Sequence, residues 1–194
     1  MINKFLATKK IILASKSPRR QQLLKDIGIH FELRTKDIDE SYPDHLQENE
    51  VALYISQKKA DAFKNDLKED ELLITADTIV CLDKDVLGKP LDYNDAVNML
   101  NKLSGKMHKV ITGVSLVSIN KTESFSVTTN VYFKSLSAEE IIYYLGHFKP
   151  YDKAGSYGIQ EWIGYIGVEK IEGSYYNVMG LPIKEVYEAI VKFS

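Results

Sequence analysis

The stretch Leu72 to Pro90, LLITADTIVCLDKDVLGKP, places a carboxylate in the middle of an apolar run. Leu72, Leu73, Ile74, Ala76, Ile79, Val80, Cys81 and Leu82 read as a largely buried strand, with Asp83-Lys84-Asp85 as the turn that ends it. Asp77 interrupts that strand, and a carboxylate there is costly unless it is paired, hydrogen-bonded or bound to a metal. The alternative is a strand-end aspartate capping a neighbouring turn. After the turn, Val86 to Lys89 reads as a returning hairpin strand, which holds Lys89 between Gly88 and Pro90.

Upstream, Lys10 to Ala14 forms a short predicted strand, and Ser15-Lys16-Ser17-Pro18-Arg19-Arg20 leads into a helix over Gln21 to Ile27 stopped by Gly28. Ser17 suits the N-cap and Pro18 the first helical turn, where its missing N–H costs nothing. Two arginines in a first turn oppose the helix dipole unless an anion joins them. A phosphate site at this helix start, with Arg19 and Arg20, is one reading, and simple solvation of the two arginines is the other. No Walker sequence occurs, which argues against a P-loop enzyme.

His30 to Thr35 reads as a second strand, followed by the acidic run Lys36-Asp37-Ile38-Asp39-Glu40. These acids are either a solvated loop or oxygen ligands of the kind Mg²⁺ prefers. Glu48 to Asn65 is helical in pattern and turns Lys59 toward its apolar side, where snorkelling of the ammonium to water is the stronger bland reading. Further on, Asp92 caps a helix over Tyr93 to Leu103, and Gly105 stops it. Strands are expected at His108 to Ile119 and Glu123 to Phe133, with His108 an ordinary strand residue. Ser137-Ala138-Glu139-Glu140 is a capping box. After the glycine-punctuated Asp152 to Gln160, the reading gives a strand over Ile163 to Ile171, a partner strand over Tyr175 to Met179, and a last helix from Pro182 to about Phe193.

Over 194 residues, 44% hydrophobic and 27% charged, this pattern describes an α/β fold with a mixed sheet in two closely apposed lobes. A net charge of −2 leaves no global basic field for nucleic acid, and no aromatic-interleaved basic stripe supports an RNA-binding reading. The one cysteine, Cys81, excludes a disulfide framework and a cysteine metal cluster. The opening MINKFLATKKIILAS has too short an apolar run for a signal peptide or membrane span, so no membrane association and a cytoplasmic address are expected.

With LASKSPRR, ADTIV, GKP, the SG-x-x-H segment Ser104 to His108, DKAGSYGIQ and a late GLP all in order, the chain resembles the Maf family across roughly Ile11 to Ile190. These proteins are nucleoside triphosphate pyrophosphatases, also called septum-formation inhibitor proteins. The resemblance implies one Maf-like α/β domain over 1–194, an elongated mixed sheet with flanking helices similar to the inosine triphosphate pyrophosphatase fold, and a nucleotide cleft between the lobes. It also implies hydrolysis of a nucleoside triphosphate to monophosphate and pyrophosphate, a divalent metal (Mg or Mn), and a homodimer.

Residue by residue, the resemblance makes Asp77 the catalytic acid and a metal ligand with Glu40. It makes Ser15, Arg19, Arg20, Lys59, Lys89, Asp152, Lys153 and Gln160 substrate contacts. Arg19, Thr78 and Gln160 match the family's dTTP and UTP branch rather than its 7-methyl-GTP branch. Glu161-Trp162 departs from the glycine often found after that glutamine. A non-catalytic nucleotide sensor acting on cell division is the competing reading, and it would not need an acid at Asp77.

Overall fold

The structure, a computed structural model, describes residues 9–193; most of the opening stretch in which no export signal was read lies outside the described residues. The chain divides into two compact units, with one boundary between Asp77 and Thr78. The first collects the chain up to Asp77, Thr112–Val127 and the chain from Gly180 onward; the second holds Thr78–Ile111 and Thr128–Met179.

Among the described residues the strands are β1 (Lys10–Leu13), β2 (Phe31–Leu33), β3 (Glu71–Leu82), β4 (Asp85–Leu87), β5 (Met107–Val117), β6 (Thr122–Phe133) and β7 (Val168–Glu172). They form a 7-stranded sheet in the order β2-β1-β3-β5-β6-β7, with β4 paired to β3. Its mixed character is explicit: β1 runs parallel to both β2 and β3, whereas β3–β4 and β6–β7 are antiparallel. The helices are α1 (Pro18–Asp26), α2 (Asn49–Asp61), α3 (Tyr93–Leu103), α4 (Ala138–Phe148), α5 (Trp162–Gly167), α6 (Tyr175–Met179) and α7 (Ile183–Lys192), with short 3₁₀ turns at Lys64–Asp66 and Ala154–Ser156.

The start signals read from the sequence operate as expected. The Ser17 hydroxyl accepts from Arg20 N, Asp92 from Asp95 N, and Ser137 and Glu140 close the capping box reciprocally. β3 is buried along its whole length apart from the half-buried Thr78, as its apolar run requires. In the first unit Ile12, Leu73, Ala60, Phe63, Leu67 and Val117 pack together. In the second, Val80, Leu100, Val110, Phe133, Tyr144 and Ile159 belong to one larger core.

Two segments differ from their expected form. Ile163 to Ile171 is a strand only from Val168; α5 precedes it because Gly164 lets the chain close on the Ile159 carbonyl, which an added Cβ would meet at 1.8 Å. Tyr175 to Met179 is helical rather than a strand, and β7 pairs with β6 instead. Ser174 and Asn177 explain the change. The Ser174 hydroxyl accepts from Asn177 N at 3.3 Å, and the buried Asn177 amide donates to Val110 O and Thr129 Oγ1, both at 3.0 Å. The expected short strand is overridden by one capped turn and one tertiary polar anchor.

Candidate active site

In the first unit, three elements meet at Lys59. Its ammonium, carried by α2, lies 2.6 Å from Asp77 Oδ1 on β3 and 2.8 Å from Glu40 Oε1 in the loop after β2. The snorkelling expected of Lys59 is therefore wrong: its side chain is 14% exposed and ends on two carboxylates rather than in water. Periodicity could show that Lys59 faced inward but not what it would meet, since Glu40 and Asp77 are distant in the chain. The adjacent Lys58 holds the same loop by its backbone and flanks, through Ser41 O at 2.9 Å and Asp39 Oδ2 at 3.2 Å. Bonds from Ser41 and Lys58 hold the Asp39 carboxyl down to about 2. Glu40 is thus an exposed acid on a tethered loop, and Asp77 a largely buried acid on a strand.

Ser15, Arg19 and Arg20 gather at the start of α1, as expected. Ser15 Oγ accepts from Ser17 N at 3.2 Å and from Arg20 Nη1 at 3.3 Å. Arg20 also donates to Ala76 O at 2.9 Å and, through Nε, to Gly180 O at 2.7 Å. It therefore grips the residue next to Asp77 and the late glycine loop together, a structural task absent from the sequence reading. Burial pulls its pKa down, with the Asp77 carboxylate opposing that shift. Arg19 is half-buried in the same first turn.

The second unit carries the remaining candidates. Lys89 is exposed in the bend after β4, and that turn is tied to the late loop by Gly155 N donating to Gly88 O at 3.1 Å. Thr78 lies half-buried on β3. Lys153 is buried, with its ammonium 2.7 Å from Asp152 Oδ1 and 3.1 Å from Glu161 Oε1. Gln160 presents a buried amide oxygen with no hydrogen-bond partner. A buried acceptor left unpaired costs about 1 to 3 kcal/mol.

His108 is more than an ordinary strand residue. Its Nε2 lies 2.7 Å from the Tyr157 hydroxyl, and its ring meets Phe133 and Tyr157 edge-on, so it pins the late loop onto β5. Burial lowers its pKa to about 4, which keeps the imidazole neutral near pH 7. Glu161, singled out from the sequence only as a departure, turns out to accept from both Lys153 and the Tyr144 hydroxyl.

The donor set suits a divalent cation. Glu40 and Asp77 already converge on one positive centre, the Lys59 ammonium, and offer the hard oxygen ligands that Mg²⁺ and Mn²⁺ prefer. Among the described residues no group of three or more His, Cys, Asp or Glu side chains gathers as a complete protein cage. Two carboxylates with the remaining positions supplied by solvent and phosphate is the arrangement usual for Mg²⁺.

Comparison with known proteins adds lineage to this geometry. A family model described as Maf-like protein matches residues 10–193. A dTTP/UTP pyrophosphatase of Phocaeicola vulgatus is 57% identical over 184 residues, covering 94% of this chain and 95% of that protein. A second, from Parabacteroides distasonis, is 55% identical over 185 residues, or 95% and 96%. Among solved structures the likeness is looser: the Staphylococcus aureus Ham1 protein aligns with a TM-score of 0.44 at 17% identity, over 64% of this chain and 72% of that one.

Proposed function

The chain belongs to the Maf family of Maf-like proteins, and from that premise we propose that it hydrolyses pyrimidine nucleoside triphosphates, dTTP and UTP foremost, to the monophosphate and pyrophosphate. The observation that carries the reading is the convergence of Glu40 and Asp77 on Lys59. A pyrophosphatase must break a bond at the α-phosphate, which calls for a positioned base and for cations that offset charge on the leaving group. Relatives identical at more than half of their positions are named for dTTP and UTP.

Asp77 serves as the base that accepts a proton from the attacking water, because it is the more buried of the two acids and is fixed on a strand. Glu40 and Asp77 would hold Mg²⁺ or Mn²⁺, which when bound polarises phosphate oxygens and acidifies water. Lys59 keeps the acid pair compensated. Ser15, Arg19, Arg20, Lys89 and Lys153, with Asp152 as its partner, are assigned to the triphosphate, where Arg20 acts partly by fixing the chain beside Asp77.

Gln160 is assigned to the base, with Arg19 and Thr78 completing the set that matches the pyrimidine branch. A thymine or uracil ring has an N–H flanked by carbonyls, and that N–H would satisfy the unpaired amide oxygen of Gln160. A homodimer and a cytoplasmic setting are part of the same proposal and rest on the family resemblance. No helix among the described residues is long and apolar enough to cross a membrane.

Pyrophosphate release from dTTP, UTP, CTP, ATP, GTP and 7-methyl-GTP, each with Mg²⁺ or Mn²⁺ and with chelator, tests the reading. The expected result is a kcat/KM for dTTP and UTP at least about tenfold above the purines, in keeping with one buried polar group left unpaired by the wrong base. A preference for 7-methyl-GTP, or no pyrophosphate from any nucleotide, would sink it.

A further inference from the structure

Glu161 stands immediately before α5 and makes no side-chain hydrogen bond to that helix. Its carboxylate is turned instead to two other groups. One oxygen lies 3.1 Å from Lys153 Nζ, and the other accepts from the Tyr144 hydroxyl, whose oxygen in turn accepts from Gly158 N at 3.0 Å. Gly158 must be glycine for this: a Cβ there would stand 2.8 Å from Glu161 Cδ and 3.0 Å from its Oε2. Glu161 N also donates to Gly158 O at 3.0 Å.

These contacts form an unbroken relay from the Gly158 amide through Tyr144 and Glu161 to Lys153 and Asp152. Gln160 lies inside the span that the relay closes. Its amide oxygen is buried and has no partner, and such a group relaxes toward a donor or toward water unless the backbone beneath it is held. The groups doing the holding are themselves shielded: Tyr144 is fully buried and the Lys153 side chain is 9% exposed.

We propose that Glu161 is a positioning residue for base selection, a carboxylate clamp that fixes the Gly158–Glu161 turn so that the Gln160 amide oxygen stays presented to the imide N–H of a pyrimidine. This rests on the pyrimidine triphosphate reading and adds to it a residue that never touches the nucleotide. Glutamine cannot replace the clamp, because Lys153 and Tyr144 both donate to Glu161 and an amide offers only one acceptor oxygen. Loss of the clamp leaves Gln160 in place but unconstrained, so discrimination falls before turnover does.

The test measures kcat and KM for dTTP and dGTP with Glu161→Gln and Gly158→Ala, the second displacing the carboxylate without removing it. The expected result in both is a fall of about tenfold in the dTTP to dGTP ratio of kcat/KM, carried by a raised KM for dTTP, with kcat changed much less. A merely structural residue would lower both substrates together. Tyr144→Phe, which removes the hydroxyl that joins Glu161 to Gly158 but leaves Lys153 on the carboxylate, should give a smaller fall in the same ratio. An unchanged ratio in folded Glu161→Gln overturns the inference, and should that variant fail to fold, an unchanged ratio in Gly158→Ala does the same. Absence of dTTP hydrolysis by the wild-type protein would instead overturn the pyrimidine reading itself.

Discussion

Each unit of the molecule contains a lysine held between two carboxylates, and the two clusters are built differently. In the first, Lys59 on α2, Asp77 on β3 and Glu40 on a loop are brought together from distant positions, and the Glu40 side chain remains 43% exposed. In the second, Asp152, Lys153 and Glu161 come from one short loop, with Glu161 also engaged by Tyr144. An acid pair with one exposed member keeps oxygen lone pairs for a ligand. An acid whose two oxygens are already used braces its surroundings. The same three residue types therefore suit chemistry in one place and rigidity in the other, and the difference lies in what else each carboxylate accepts.

The sharpest way to break this contrast is Asp77→Asn. The amide is nearly isosteric but takes no proton and compensates no cation, so kcat should fall at least ~10²-fold in a folded protein. Substantial turnover by that variant would place the chemistry on another acid. Gly113→Ala comes next. A Cβ on Gly113 would lie 2.2 Å from Ala52 O, so the methyl must push β5 and α2 apart and disturb Lys59. Overpacking of this kind should cost about 2 kcal/mol, a fall in Tm of about 4 to 8 °C by calorimetry. An unshifted Tm would show that α2 yields freely, against its role as a rigid carrier.

In the second unit Gln160→Glu replaces an amide whose unpaired oxygen faces inward by a charged group that would be buried with it. Preference for dTTP over GTP should drop about tenfold while the inhibition constant for inorganic tripolyphosphate stays within about twofold. Parallel loss of both would move Gln160 to the phosphate end.

Acid should also act on the two units over different windows. His108, in the second, resists its proton until about pH 4, whereas an unfolded histidine takes it near 6.5. The unfolded chain then binds more protons between those values, so the His108 contribution is complete above pH 6.5 and is lost as pH falls toward 4. Glu71, in the first, is held at about 2 by two hydrogen bonds from Arg34, at 2.8 and 2.5 Å. Its contribution is complete above about 4.5 and is lost as pH falls toward 2. Urea midpoints for His108→Gln should therefore flatten between pH 6.5 and 4.5 while still falling below 4.5; a wild-type slope in the upper window would remove His108 from the account.

Local chemistry was legible in the sequence wherever one side chain decides the outcome. Ser17, Asp92 and Ser137 announce helix starts because a hydroxyl or carboxylate reaches the backbone two or three residues on. β3 announces itself by its long apolar run, and Asp77 by interrupting it. Lys59, His108, Arg20 and Glu161 were underread because each is defined by a partner far along the chain. The helices α5 and α6 read as strands because an apolar run over so few residues cannot be told from a helical turn by its pattern, and Gly164, through its close local approach to Ile159 O, and Asn177, through a tertiary contact, decide between the two.

Cys81 is the one thiol in the chain, and it sits on β3 at 2% exposure, four residues beyond Asp77. A thiol reagent cannot reach it in the closed fold. The native protein thus carries an internal clock: the rate at which a bulky maleimide consumes its sulfur reports how often β3, the strand that carries Asp77, comes open, without any mutation. A nucleotide that binds only the folded state should slow that clock by the same factor that its binding adds to the folded population.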